Sequence, residues 1–369
     1  MFMALVMEEI KQEGFEKIIR IEDVTCGLLG YIAIHDTTLG PALGGIRFYP
    51  YSSEKQALQD VMRLSRGMTH KAAIAGLGLG GGKCVVMVDP NEKTHEMLAS
   101  LASAINQLDG CYISAQDYGC SPSDILFLKS QTKYVVGGLY EKGSGDPAPF
   151  TAWGVIAAMK ATLHRLYGQQ DFEEKVVAIQ GLGSVGYKIA EHLFWLGCRL
   201  IVADIDPSKT CAAQQRFGAE IAEVNQIASS KCDIFCPSAL GGILNPQSIA
   251  GLNCKAVVGC ANNQLEAESD AEALKTKGIL YAPDFVANAG GLINVSFEIS
   301  KQGYDPRGAK KKIDQIEATL AQIYQNSLEH NITTQQAVSS MIEYRLKHKI
   351  GRREEQIYLA PSPLELASI

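Results

Sequence analysis

The chain has 369 residues, 46% of them hydrophobic and 20% charged, the balance of a folded α/β protein with room for two or three domains. A formal net charge of −6 argues against nucleic acid or an anionic membrane as a partner. No apolar run reaches the roughly 18–20 residues of a membrane span, and the apolar start, Met1 to Met7, lacks the basic flank and cleavage site of a signal peptide. The expected location is therefore cytoplasmic. Ten cysteines are scattered without the spacing of a disulfide framework. Cys232 and Cys236 come nearest to a metal pair, but no second Cys/His pair accompanies them, so no metal is expected.

In chain order, residues 8–20 mix charge and aliphatics as an amphipathic helix would, and Gly27 to His35 reads as a buried strand. A loop over Leu39 to Gly45 leads to a short strand at Ile46-Arg47-Phe48-Tyr49. Ser52 or Ser53 can cap the next helix, whose apolar positions Ala57, Leu58, Val61, Met62 and Leu64 recur at helical spacing. That helix leads to Gly67-Met68-Thr69-His70-Lys71 and then to the glycine run Gly76 to Gly82, with Lys83 at the edge of an apolar strand. A helix over about 93–108 precedes a strand at Tyr112 to Ala115, which ends at Gln116-Asp117-Tyr118-Gly119. Four Gly or Pro in Gly143 to Pro149 suggest a hinge, followed by a long helix, Thr151 to Tyr167. Strand and helix signals then alternate to about 295, which implies a parallel sheet. Two amphipathic helices close the chain, one on Ile313, Ile316, Leu320 and Ile323, the other on Val338, Met341, Ile342 and Leu346.

The strand Lys175 to Gln180 runs into Gly181-Leu182-Gly183-Ser184-Val185-Gly186 and a helix, and the next strand, Arg199 to Ala203, is closed by Asp204. This is a dinucleotide-binding pattern in its proper context. Gly181 permits the tight turn, Gly183 the approach of the pyrophosphate and Gly186 close helix–strand packing, with the phosphates at a helix N-terminus. Asp204 would accept from the adenosine ribose and repel a 2′-phosphate, so NAD is expected rather than NADP.

Lys83 does not fit a phosphate-binding loop, which needs Gly six residues earlier and Ser or Thr next, where this chain has Leu77 and Cys84. A nicotinamide enzyme with lysines beside glycine suggests hydride transfer at an amino group. That chemistry needs a cation for the substrate carboxylate, a base and a second proton carrier. Lys71, Lys83 and Asp117 each border an apolar segment beside glycine. A lysine usually carries a solvated charge, but two close together and half-buried disfavour each other's charge, so one could serve as a neutral base.

These residues resemble a known family, the amino-acid dehydrogenases acting on glutamate, leucine, phenylalanine and valine. The signature is matched by Leu77, Gly80-Gly81, Gly82, Lys83 and Asp89-Pro90. His35 to Gly45 looks most like the leucine dehydrogenase branch, and the likeness recurs at Arg63 to Thr69, Ala239-Leu240-Gly241-Gly242, Asn263-Gln264-Leu265, Tyr281 to Asp284 and Asn288 to Val295. The resemblance implies that Lys83 is the catalytic base, that Lys71 holds the substrate carboxylate and that Asp117 transfers a proton. It also implies cofactor contacts from Ala239, Asn262 and Asn288, and it places Thr151 in the cleft. The implied architecture is an N-terminal α/β substrate and assembly domain (1–145), a Rossmann-type NAD-binding domain (146–335) across a cleft, and a C-terminal helix (336–369) returning to the first domain. Homo-oligomers, octamer or dimer, are expected.

By the same resemblance the substrate side chain meets Leu43, Gly44, Ala115, Leu292 and Val295, which carry no charge. A second carboxylate buried there would be unpaired at a cost of several kcal/mol, which disfavours glutamate. A branched-chain L-amino acid, leucine first, is expected to yield its 2-oxo acid, ammonia and NADH. The sequence departs from the leucine pattern at Gln116, Tyr118, Asp146, Asn262 and Leu292. Because Asn262 also occurs in a tryptophan-specific relative, an aromatic substrate is the alternative. A silent NAD-binding scaffold would have no reason to keep Lys71, Lys83 and Asp117 together.

Overall fold

Residues 8–20 form part of a β-hairpin and not a helix. Strand β1 (Leu5–Ile10) pairs antiparallel with β2 (Lys17–Asp23), from Leu5 opposite Asp23 to Ile10 opposite Ile18. Gly14, at φ 80°, turns the chain between them. The β-branched Ile18, Ile19 and Ile21 bury on both faces of the inner strand, where a pleated surface suits them better than a helix does. The computed structural model describes residues 5–362. The chain divides into two compact units. Of the described residues, one unit holds 5–146, Val295–Pro306 and 342–362; the other holds Pro147–Asn294 and Arg307–Met341.

The first unit is built on a six-stranded sheet that adds β3 (Leu28–Asp36), β4 (Ala42–Phe48), β5 (Gly80–Val86) and β6 (Tyr112–Gln116), in the order β1-β2-β3-β5-β4-β6. Two strands start earlier than the sequence suggests. Gly44 and Gly45 lie inside β4, and Gly80, Gly81 and Gly82 inside β5, so Lys83 sits mid-strand. Helix α1 (Glu54–Ala75), capped by the Ser53 side chain, covers one face and runs through Gly67 and Lys71 to end at Gly76, φ 61°. On the other face α2 (His95–Gln107) and α3 (Pro122–Gln131) pack Leu98, Leu101, Ile105, Ile125 and Leu128 against Ile46, Cys84 and Tyr112.

The C-terminal segment fastens this unit. Arg345 donates to the Ala73 and Ile74 carbonyls of the last turn of α1 at 2.8 and 2.7 Å, adding to the bond that Ala73 already accepts from the Gly76 N–H. Arg353 donates to the Leu77 and Gly78 carbonyls, each at 3.2 Å.

The second unit begins with α4 (Ala148–Tyr167) and carries an all-parallel sheet. Its strands are β7 (Val176–Gln180), β8 (Arg199–Ala203), β9 (Glu220–Ile221), β10 (Cys232–Pro237), β11 (Cys254–Val257) and β12 (Leu280–Tyr281), ordered β12-β11-β10-β7-β8-β9. The order reverses between β7 and β10, which is where ligands enter such sheets. Helices α5 (Ser184–Trp195) and α6 (Pro207–Phe217) follow β7 and β8. Helix Pro306–Glu329 buries Ile313, Ile316, Leu320 and Ile323, as its periodicity indicates. Among the described residues no helix is long and apolar enough to cross a membrane.

Candidate active site

Successive strand residues face opposite sides, and level residues on parallel neighbours share a side. Leu43 of β4 is level with Gly81 of β5, and Gly45 is level with Ala115 of β6. Leu43, Arg47, Lys83, Ala115 and Asp117 therefore all project toward the face that α1 covers. Lys83, only 5% exposed, places its Nζ 2.8 Å from Asp117 Oδ2. Asp117 follows β6 on a loop fastened by Lys93, which donates to the Gly119 carbonyl at 2.5 Å and pairs with Asp124. Lys71 is half-buried on the last turns of α1. Leu43, Ala115 and Val295 are buried in this unit.

The glycines serve the protein's own packing. A Cβ on Gly81 would overlap Thr69 and the Ser65 carbonyl of α1, and one on Gly82 would lie 2.6 Å from the Tyr112 ring. A Cβ on Gly45 would lie 2.6 Å from that of Asp117. The open sides of these glycines are filled by α1, Tyr112 and Asp117, which sets helix, sheet and acid close together.

Asp117 Oδ2 also accepts from Arg47 Nε at 3.0 Å. Burial alone would raise this carboxyl, but Lys83 and Arg47 outweigh it and hold it down at about 2. Arg47 in turn donates from Nη1 to Asp60 Oδ2 at 3.1 Å, an oxygen that also accepts from the Tyr51 hydroxyl at 2.6 Å. Arg63 donates to the other Asp60 oxygen at 2.9 Å. Sequence reasoning missed Arg47 and Asp60. The signal exists only once β4 and β6 are paired, since Ile46 level with Gln116 puts Arg47 level with Asp117.

In the second unit β7 ends at Gly181, whose φ of 100° makes the tight turn. A Cβ on Gly186 would overlap the Gly181 carbonyl, while one on Gly183 meets nothing within 4 Å. Gly183 stands at the N-terminus of α5, ahead of Ser184 and Val185. The Leu182 N–H donates to Asp204 Oδ2 at 2.6 Å, tying the turn to the end of β8. Lys209 lies 3.7 Å from the other Asp204 oxygen, a nearby cation that the sequence reading did not consider. Ala239 follows β10 and borders Gly181 across the point where the strand order reverses.

Asn288, 5% exposed, donates from Nδ2 to Asn262 Oδ1 at 2.9 Å and to the Cys260 carbonyl at 3.1 Å. Its Oδ1 has no partner among the described residues, and a buried acceptor left this way is costly unless a ligand completes it. Thr151 lies in the first turn of α4, with its hydroxyl donating to the Pro147 carbonyl at 3.1 Å. Leu292 is buried in the same unit. An open glycine at a helix N-terminus, an acid at the end of the next strand and an orphaned amide oxygen together fit a nicotinamide dinucleotide.

Comparison with known proteins agrees with both halves. Residues 17–134 match the Glu/Leu/Phe/Val dehydrogenase dimerisation domain, and residues 204–347 match the Glutamate/Leucine/Phenylalanine/Valine dehydrogenase domain. The chain is 44% identical to the leucine dehydrogenase of Geobacillus stearothermophilus, over 90% of this chain and 91% of that protein. It is 42% identical to the leucine dehydrogenase of Thermoactinomyces intermedius, over 93% of each. The crystal structure of L-tryptophan dehydrogenase from Nostoc punctiforme superposes with a TM-score of 0.79 at 40% identity, covering 91% of this chain and 96% of that one.

Proposed function

The chain belongs to the Glu/Leu/Phe/Val dehydrogenase family, and from that premise we propose that it catalyses the reversible NAD-dependent oxidative deamination of a branched-chain L-amino acid, leucine foremost. The observation that carries this reading is the buried Lys83–Asp117 pair on the same sheet face as apolar Leu43 and Ala115. A glutamate side chain would bring a second carboxylate to a lining without a cation among these positions. The leucine dehydrogenases at 42% and 44% identity support the branched-chain choice.

The Gly181–Gly186 turn, Asp204, Asn262 and Asn288, with Ala239 and Thr151 nearby, would hold NAD, whose nicotinamide would supply the hydride acceptor for the substrate Cα. Lys71 would bind the substrate carboxylate. In the neutral form Lys83 would take a proton from the water that attacks the resulting imine carbon. Asp117, a carboxylate at rest, is placed beside Lys83 to receive a proton and return it to the departing amine. The products are the 2-oxo acid, ammonia and NADH. This reading places the enzyme in the cytoplasm, which its ten free cysteines support, and as a homo-oligomer, for which the matched dimerisation domain speaks.

An aromatic substrate is the second reading. Its support is the 42% identity to L-tryptophan dehydrogenase of Nostoc punctiforme, over 96% of this chain. Initial rates of NADH formation with leucine, valine, isoleucine, phenylalanine, tryptophan and glutamate decide between the two. Leucine is expected to have the highest kcat/KM. Tryptophan or phenylalanine in first place selects the second reading, and glutamate in first place overturns the argument from the lining.

A further inference from the structure

Asp117 presents one oxygen to two cations. Lys83 Nζ and Arg47 Nε both reach Oδ2, at 2.8 and 3.0 Å, while no described residue donates to Oδ1. Arg47 is not a loose surface charge. It is anchored from behind by Asp60, itself held by Tyr51 and Arg63. The chain of contacts joins three elements: α1 carries Asp60, β4 carries Arg47, and the loop after β6 carries Asp117. We propose that Arg47, braced by Asp60, is a positioning residue that shares the Asp117 carboxylate with Lys83 and so sets how readily Lys83 gives up its proton.

The physical basis is competition for one acceptor. A lysine that has a carboxylate to itself in a half-buried site keeps its proton, because the ion pair compensates the charge for leaving water. A second cation on the same oxygen takes part of that compensation and repels the ammonium directly. A guanidinium suits the task, since it stays charged at every working pH and its planar fork binds Asp60 and Asp117 through different nitrogens. Pinning Oδ2 from the side also fixes the carboxylate plane and leaves Oδ1 available to water or a substrate amine. Tyr112 and Cys120 beside Asp117 are held neutral by burial, the Lys93–Asp124 pair on its loop balances its own charge, α1 adds Lys71 on the covered face, and Lys83 and Arg47 are the cations that contact the carboxylate itself.

The inference rests on the role proposed for Lys83, and two measurements separate the two claims. The first is the pH dependence of kcat/KM for the best amino acid in wild type, Arg47→Met and Arg47→Lys. In Arg47→Met the rise of rate with pH is expected to move to higher pH by about half a unit or more, with kcat reduced about tenfold or more. Arg47→Lys is expected to bring the profile back toward wild type without restoring kcat, because one ammonium cannot bridge Asp60 and Asp117. The second is independent of turnover: the pH dependence of Lys83 acetylation by acetic anhydride, read by peptide mass spectrometry, should shift upward in Arg47→Met. A wild-type enzyme that oxidises no amino acid defeats the proposed function but leaves this second measurement intact. An Arg47→Met protein in which the acetylation profile stays where it is in wild type overturns the role given to Arg47.

Discussion

The hydroxyl of Tyr112 donates to the Gly44 carbonyl oxygen at 2.7 Å, from a ring that is completely buried against Gly82. The ring starts on β6, bonds to its neighbour β4 and reaches on to Gly82 of β5, so it fixes the spacing of β4, β5 and β6 where the candidate acid and base emerge. Two substitutions separate its contributions. Tyr112→Phe keeps the packing and loses one buried hydrogen bond, an expected cost of about 1 kcal/mol. Gly82→Ala puts a methyl group into the ring and should cost more, about 1–3 kcal/mol, with a fall in kcat as Lys83 shifts. Urea midpoints rank the two, and a Gly82→Ala protein as stable as wild type would contradict the packing argument.

Removing the amine itself tests the base. Lys83→Ala is expected to lower kcat by about 10²–10⁴-fold, the range for loss of a general base. NAD binding, followed by fluorescence titration, should survive, because the dinucleotide turn lies in the other unit. Near-normal turnover in this variant would remove the role from Lys83.

Asp204 bears on cofactor choice in a way the structure sharpens. Its carboxylate accepts from the Leu182 N–H at 2.6 Å and lies 3.7 Å from Lys209. Asp204→Asn keeps an acceptor for Leu182, removes the charge that repels a 2′-phosphate and leaves Lys209 to attract one. The ratio of NADP to NAD efficiency should rise about tenfold or more, which corresponds to about 1.4 kcal/mol. An unchanged ratio would mean that discrimination lies elsewhere.

His35 predicts an acid sensitivity. Burial, with His70 and Arg66 nearby, pushes its imidazole down from 6.5 to about 4, and Nδ1 lies 2.9 Å from the Thr69 hydroxyl. With the folded-state value lowered, the unfolded chain takes the proton first. The contribution to stability is therefore full above about 6.5 and is lost progressively as pH falls toward 4. His35→Gln can keep the bond to Thr69 without titrating, so its thermal midpoint should depend less on pH across that window. Parallel curves for the two proteins would refute the assignment.

The second unit was largely legible in the sequence because its signals are local. Val176–Gln180, the glycine turn, α5 and Asp204 follow one another within one strand–helix–strand unit, and each residue type has one physical reason to be there. The first unit was legible in its residues but less so in its elements. Glycines weaken a strand reading, so Gly44, Gly45 and Gly80–Gly82 read as loop, although the neighbours that occupy the missing side chains make them strand. Ile18, Ile19 and Ile21 lie among charges that mimic a helical face, and only the antiparallel pairing with β1 settles them as strand. Arg47 was invisible for a related reason. Its meaning depends on being level with Asp117, 70 residues away in the chain.

The arginine contacts at the end of the chain also set an order of events during synthesis. Ala73 and Gly78 leave the ribosome early, but their carbonyl partners Arg345 and Arg353 follow 272 and 275 residues later. At roughly 5–20 residues per second, that interval lasts on the order of tens of seconds. Throughout it the end of α1 and the run into β5 must do without those donors, while the entire second unit can be made and folded. The nascent first unit is thus expected to be the stage most in need of protection from aggregation, until Arg345 and Arg353 have emerged.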